Sequence, residues 1–208
     1  MIQRMRLGLL AVLAGLVLSG CTGMRTFETY YSRPADPAAA RQWRLEGVDV
    51  LVPATLTVSE AHTFEPEADI VWREDPIGDR RKQVAAIMTD AVGRGAAGLK
   101  GSIPVRLAVE VTQFHALTLE AEAVNWAGIG VHNINFVITV VDARSGARLA
   151  GPEPIDASLP AMTGTEMIRA RLRGESQKSQ ISNHVAATIA GWLGLGPDQR
   201  GSFVRAGR

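Results

Sequence analysis

The residue with the most distinctive chemistry is Cys21, the only cysteine in 208 residues. A lone thiol cannot close a disulfide within its own chain. Its chemistry must be nucleophilic, metal-ligating or that of an acceptor for covalent modification. The neighbouring residues choose among these. Arg4 and Arg6 give a positive start, residues 7–18 (LGLLAVLAGLVL) carry no charge, and the small Ser19 and Gly20 directly precede the sulfur. That is the order of a positive n-region, an apolar h-region and a small-residue cleavage site. The apolar run is 12 residues long, well short of the roughly 20 that cross a bilayer. The expectation is a secretion signal over residues 1–20, followed by a cysteine that is modified. An ordinary signal peptide with an incidental cysteine, or a buried helix, is the plainer alternative.

The remaining chemistry-bearing residues form weaker patterns. His62, His115, His132 and His184 have neither H-x-x-x-H nor H-E-x-x-H spacing, so no zinc site is expected. No G-x-S-x-G elbow occurs, and a serine triad is defined by geometry rather than by spacing. Residues 93–98 (GRGAAG) match G-x-G-x-x-G but fall where a helix should end. A dinucleotide fingerprint must open a helix, so that free amides and the positive dipole end meet the pyrophosphate. Helix termination or close packing explains these glycines better. Asn125, Trp126 and His132 flank Gly128-Ile129-Gly130 in the connection between the two best strands. An exposed Trp there would anchor a partner; the alternative is a bulged hairpin with the ring folded back over the sheet. Arg169, Arg171 and Arg173 with Lys178 make a local basic run. It reads as a solvated face or as a contact for anionic headgroups or an acidic partner. No cofactor, metal or catalytic residue is expected.

These residues need a scaffold. The leader takes two arginines and no acid, leaving 20 basic and 21 acidic side chains over 188 residues. That balance offers nothing to nucleic acid, and the length suits one domain. With 46% apolar but only 5% aromatic residues, the core should be aliphatic. Residues 22–43, broken by Pro34 and Pro37, read as an extended arm. Period-two alternation predicts strands over 44–52, 68–72, 104–119 and 131–141, with a return strand from 147. Phe114 breaks the alternation and predicts a bulge or a change of exposure. Val84, Ile87, Met88, Ala91 and Val92 predict a helix over 79–99, which Asp75 before Pro76 could begin. Ile181, Val185, Thr188, Ile189 and Trp192 predict another over 175–193. Thr163 and Glu166 have capping-box spacing. The expected fold class is α+β: a mostly antiparallel sheet of about five strands with two amphipathic helices packed on one face. The expected domain plan is a signal peptide (1–20), a lipidated tether (21–43), the domain (44–195) and a disordered tail (196–208).

The segment Leu18-Ser19-Gly20-Cys21 resembles the lipobox of bacterial lipoproteins. The resemblance implies that Cys21 receives a diacylglyceryl thioether, that the leader is cut before it, and that the new amino terminus is acylated. Two or three chains on one residue anchor stably where one does not. Residue 22 is Thr; in Gram-negative lipoproteins an Asp there favours inner-membrane retention, so the resemblance implies the outer membrane, facing the periplasm. Residues 44–194, through their element order and the VDVLVP and ADIVW segments, are similar to small periplasmic α+β lipoproteins, notably alphaproteobacterial ones. Some of those are auxiliaries of envelope lipid transport. No diagnostic residue carries a site across. The implied function is a non-enzymatic outer-membrane lipoprotein acting as a protein-interaction or structural module, with the membrane and another envelope protein as partners. The alternatives are a lipid-binding auxiliary of envelope lipid transport and, without a supporting motif, an enzyme.

Overall fold

Two long strands form the spine. β4 (Ile103–His115) and β5 (Val131–Asp142) pair antiparallel from Val105 opposite Asp142 to His115 opposite Asn133. The structure is a computed structural model that describes residues 24–126 and 128–206. Val105, Leu107, Val109 and Val111 of β4, with Ile134, Phe136, Ile138 and Val140 of β5, are buried on one face, as their alternation dictates. The β4–β5 register shifts between Val111 and Gln113. Beyond that bulge Phe114 turns into the core, edge-to-face with Trp72 at 5.7 Å.

Two amphipathic helices cover this face. α2 (Arg80–Gly95) and α5 (Gln177–Trp192) present the apolar stripes that their spacing predicts, and every one of those stripe residues is buried. Asp79, not Asp75, caps α2 by accepting the Lys82 amide at 3.2 Å. Asp75 instead accepts the Trp72 indole at 2.8 Å. Ser176 and Ser179 make a reciprocal capping box at the start of α5. α1 (Pro37–Ala40) and α3 (Leu119–Glu122) are single turns, and α4 (Gly164–Leu172) is short. The Thr163–Glu166 spacing does not produce a side-chain cap there.

The sheet corrects the expected fold class. Among the described residues it has eight strands and is mixed, and there are five helices, rather than about five strands and two helices. β1 (Met24–Tyr31), β2 (Trp43–Leu51), β6 (Arg148–Ala157) and β8 (Gly201–Ala206) complete the order β2-β4-β5-β6-β1-β8. The short β3 (Ile70–Val71) and β7 (Leu159–Pro160) pair with β4 and β5. β2 and β3 run parallel to β4. α2 lies in the crossover between β2 and β4. β1 and β8 occupy stretches expected to be an arm and a disordered tail. They pair antiparallel over their length, Met24 opposite Ala206 and Thr29 opposite Gly201, and Phe27 stacks on Phe203 at 5.8 Å. Pro34 and Pro37 lie just past β1, and Pro37 opens α1 behind the Asp36 cap. They punctuate the segment without loosening it.

Candidate functional site

Residues 117–130 and the ends of β1 and β8 meet at one end of the sheet. His115 closes β4 and its Nε2 lies 3.2 Å from the Pro66 carbonyl, which ties the loop carrying Phe64 to the strand. Thr118 then caps α3 by accepting the Ala121 amide at 3.1 Å. After α3 the chain returns to β5 through Gly128 and Gly130, both at φ +82°. At Gly130 the positive φ favours glycine, and a Cβ there would lie 3.2 Å from the end of the Leu117 side chain, which would have to shift to admit it. Ile129 between them bridges in parallel to Ala206 at the end of β8, which pairs with Met24. These segments enclose a pocket of about 350 Å³ whose walls are Phe64, Leu117, Val124, Trp126, Ile129 and Ala206, with Glu65 beside them. The walls are mostly apolar side chains, and the Val124, Gly130 and Ala206 amides that border the space donate to the Ala121, Ala206 and Gly128 carbonyls.

The three residues expected to form an interaction surface part company. Trp126 is 68% exposed and lines the pocket. Asn125 is structural: its Oδ1 accepts the Thr165 amide at 3.2 Å and the Thr165 hydroxyl at 3.1 Å, fixing the start of α4. His132 is fully buried and cannot belong to a surface. It stands in phase with Ile134 and Phe136 on β5, and that alternation was the signal that places it inside. Burial pushes its imidazole down to about 3, and the neighbouring His115 adds to the effect. Gln180 is close and slightly favours the proton. Its Nε2, however, points at the sulfurs of Met162 and Met167, 3.4 and 3.6 Å away, so both His132 ring nitrogens lack a sound hydrogen bond. The ring therefore stays neutral at physiological pH.

The other expected motifs resolve into packing. Gly95 sits where α2 crosses α5, and a Cβ there would meet the Ala186 carbonyl at 2.5 Å. GRGAAG is thus a helix-crossing motif. Arg171 pairs with Glu122 at 2.7 Å, Arg173 with Glu175 at 2.7 Å and Lys178 with Asp75 at 2.9 Å, which absorbs most of the basic run. His62 contacts Glu120 at 2.8 Å. His184 Nε2 lies 2.8 Å from the Thr29 hydroxyl, but that hydroxyl donates to the Ser158 carbonyl at 3.0 Å. The ring must therefore donate to the oxygen. That is the wrong polarity for a base activating a nucleophile. Burial lowers the His184 pKa as well. Among the described residues no group of three or more His, Cys, Asp or Glu could hold a metal ion. No helix among them is long and apolar enough to cross a membrane. Cys21 and the leader lie outside the described residues.

Residues 43–208 match a family described as a family of unknown function, DUF6778. No curated protein matches. Among solved structures, a candidate lipoprotein from Caulobacter crescentus CB15 is 15% identical, with 76% of this chain and 94% of that chain covered at a TM-score of 0.32. The PelC dodecamer from Paraburkholderia phytofirmans is 12% identical, with 82% of this chain and 96% of that chain covered at a TM-score of 0.35.

Proposed function

We propose that this chain, which belongs to the DUF6778 family of unknown function, is a lipid-anchored envelope protein. In this reading acyl chains on Cys21 hold it to the outer membrane, facing the periplasm, and the domain serves as a non-catalytic interaction module. The observation that carries the reading is the position of β1. It begins at Met24, three residues after Cys21, and lies inside the sheet between β6 and β8. A chain handed straight from a modified cysteine into an interior strand holds the body close to its anchor. The side of the sheet opposite α2 and α5 is available to a partner. There Asp49, Leu51, Glu110, Val137 and Thr139 border an open concavity of about 560 Å³. The Thr29–His184 hydroxyl–imidazole pair has the wrong polarity for a base activating a nucleophile, which favours a binding role over an enzymatic one.

The test is metabolic labelling with palmitate. The wild-type protein should incorporate label and sediment with membranes, and Cys21→Ala should do neither. Equal labelling of the two forms would remove the anchor from the account.

A further inference from the structure

The pocket around Trp126 lies at the end of the sheet where the chain arrives from Cys21. Each residue of an extended chain spans at most about 3.6 Å, so Cys21 cannot lie farther than roughly 11 Å from Met24. Met24 pairs with Ala206, Ala206 bridges to Ile129, and Ala206 and Ile129 both line the pocket. The same end exposes bulky apolar groups, with Phe64 at 61% and Trp126 at 68%. α4 extends this surface. Thr165, Ile168 and Leu172 share one helix face, Thr165 touches Asn125 beside Trp126, and Ile168 and Leu172 are exposed. Charge accompanies the apolar groups. Arg25 and Arg205 stand directly opposite each other on β1 and β8, one pair from the Met24–Ala206 end. Like charges so placed repel. Among the described residues neither is in an ion pair, and Arg205 Nε is buried without an acceptor. The loop carrying Phe64 continues to Pro66, which lines a cleft with Arg25. Cation and apolar surface thus flank a single loop.

We infer that this end of the domain is seated on the leaflet that holds Cys21. Trp126, Phe64, Ile168 and Leu172 enter the headgroup–acyl boundary, and Arg25 and Arg205 meet anionic headgroups. An indole suits that boundary, since its ring is apolar and its N–H can remain wet. The seat rests on the reading of Cys21 as the anchor, because a tether this short leaves only the Met24 end of the domain within reach of the bilayer.

The test uses the full acylated protein in phosphatidylcholine vesicles containing phosphatidylglycerol, with and without brominated acyl chains. Trp43, Trp72 and Trp192 are buried, so Trp126 is the indole that solvent and lipid can reach. Reconstitution should shift the Trp126 emission to the blue, reduce its quenching by aqueous acrylamide, and introduce quenching by bromine. Trp126→Phe, at an exposed position that leaves folding intact, should abolish all three changes. Replacing phosphatidylglycerol by phosphatidylcholine, or making Arg25→Gln with Arg205→Gln, should weaken the bromine quenching. Protection from acrylamide without bromine quenching would mean that a second copy covers the face, and would overturn the seat. Trp126 left open to acrylamide in a protein whose intact mass shows the acyl chains would also overturn it, while sparing the anchor. An intact mass without acyl chains would remove the anchor and the seat together.

Discussion

Gly130 lines the Trp126 pocket and Val131 opens β5, so two regions of opposite character meet at one peptide bond. In the β4–β5 centre each residue alternates between a buried and an accessible face, and α2 and α5 close over the buried one. At the Trp126 end, glycines with positive φ, a one-turn helix and two strand ends leave large apolar side chains uncovered. The centre satisfies its apolar groups internally. The other end leaves them uncovered within the chain, and under the proposed anchoring the nearest surface outside it is the leaflet that holds Cys21. The two regions should respond oppositely to substitution.

The largest effect belongs to the centre. Val109→Asp or Phe136→Asp places an unpaired carboxylate among buried aliphatic residues, at a cost of several kcal/mol. Each variant should lose its cooperative thermal transition in circular dichroism. An unchanged Tm would mean that the strand faces are reversed. Next comes the helix crossing. Gly95→Val puts a branched side chain where a Cβ already meets the Ala186 carbonyl at 2.5 Å and Ile189 Cβ at 2.8 Å. Overpacking of this kind lowers stability by about 1–3 kcal/mol. Denaturant titration should show a lower midpoint with the slope unchanged.

His132 should produce an effect of similar size that depends on pH. The folded chain keeps this ring neutral down to about 3, while in the unfolded chain it binds a proton near its ordinary 6.5. Between those values the unfolded state holds more protons, so stability falls as pH drops. Moving from pH 7 to pH 5 should remove about 2 kcal/mol through this one group. The difference in pH dependence between wild type and His132→Leu, measured by chemical denaturation, isolates it. Matching slopes would mean that the ring is solvated or paired. The smallest effect belongs to the other region. Trp126→Ala should change stability by less than about 0.5 kcal/mol, whereas Trp192→Ala in the core should cost about 3–5 kcal/mol. A large loss at Trp126 would show that the ring belongs to the fold and is not held out for a partner.

What could be read from residue order divides along the same line. Val105 to Val111, Ile134 to Val140, and the stripes of α2 and α5 each face one environment, so a simple period reveals them. β1 was hidden because its alternation, Phe27, Thr29 and Tyr31, is short and mixed, and because Pro34 and Pro37 follow at once. β8 was hidden because an edge strand of six residues needs no apolar run; Phe203 finds its reason only in Phe27, 176 positions earlier and 5.8 Å away. His132 has the residue type of a surface site, but its phase with Ile134 and Phe136 puts it inside. Asn125 looked like a recognition residue, yet its amide oxygen is committed to Thr165, a partner that nothing local reveals. The pocket was least legible of all, since its walls come from residues 64, 117, 124, 126, 129 and 206 and exist only once β8 is in the sheet.

The most direct measurement is the mass of the amino-terminal peptide of protein extracted from membranes. The mature chain should begin at Cys21 and carry a thioether-linked diacylglyceryl group and an amide-linked acyl chain. A peptide in which residues 1–20 remain attached, or in which Cys21 bears a free thiol, would contradict the proposed anchoring.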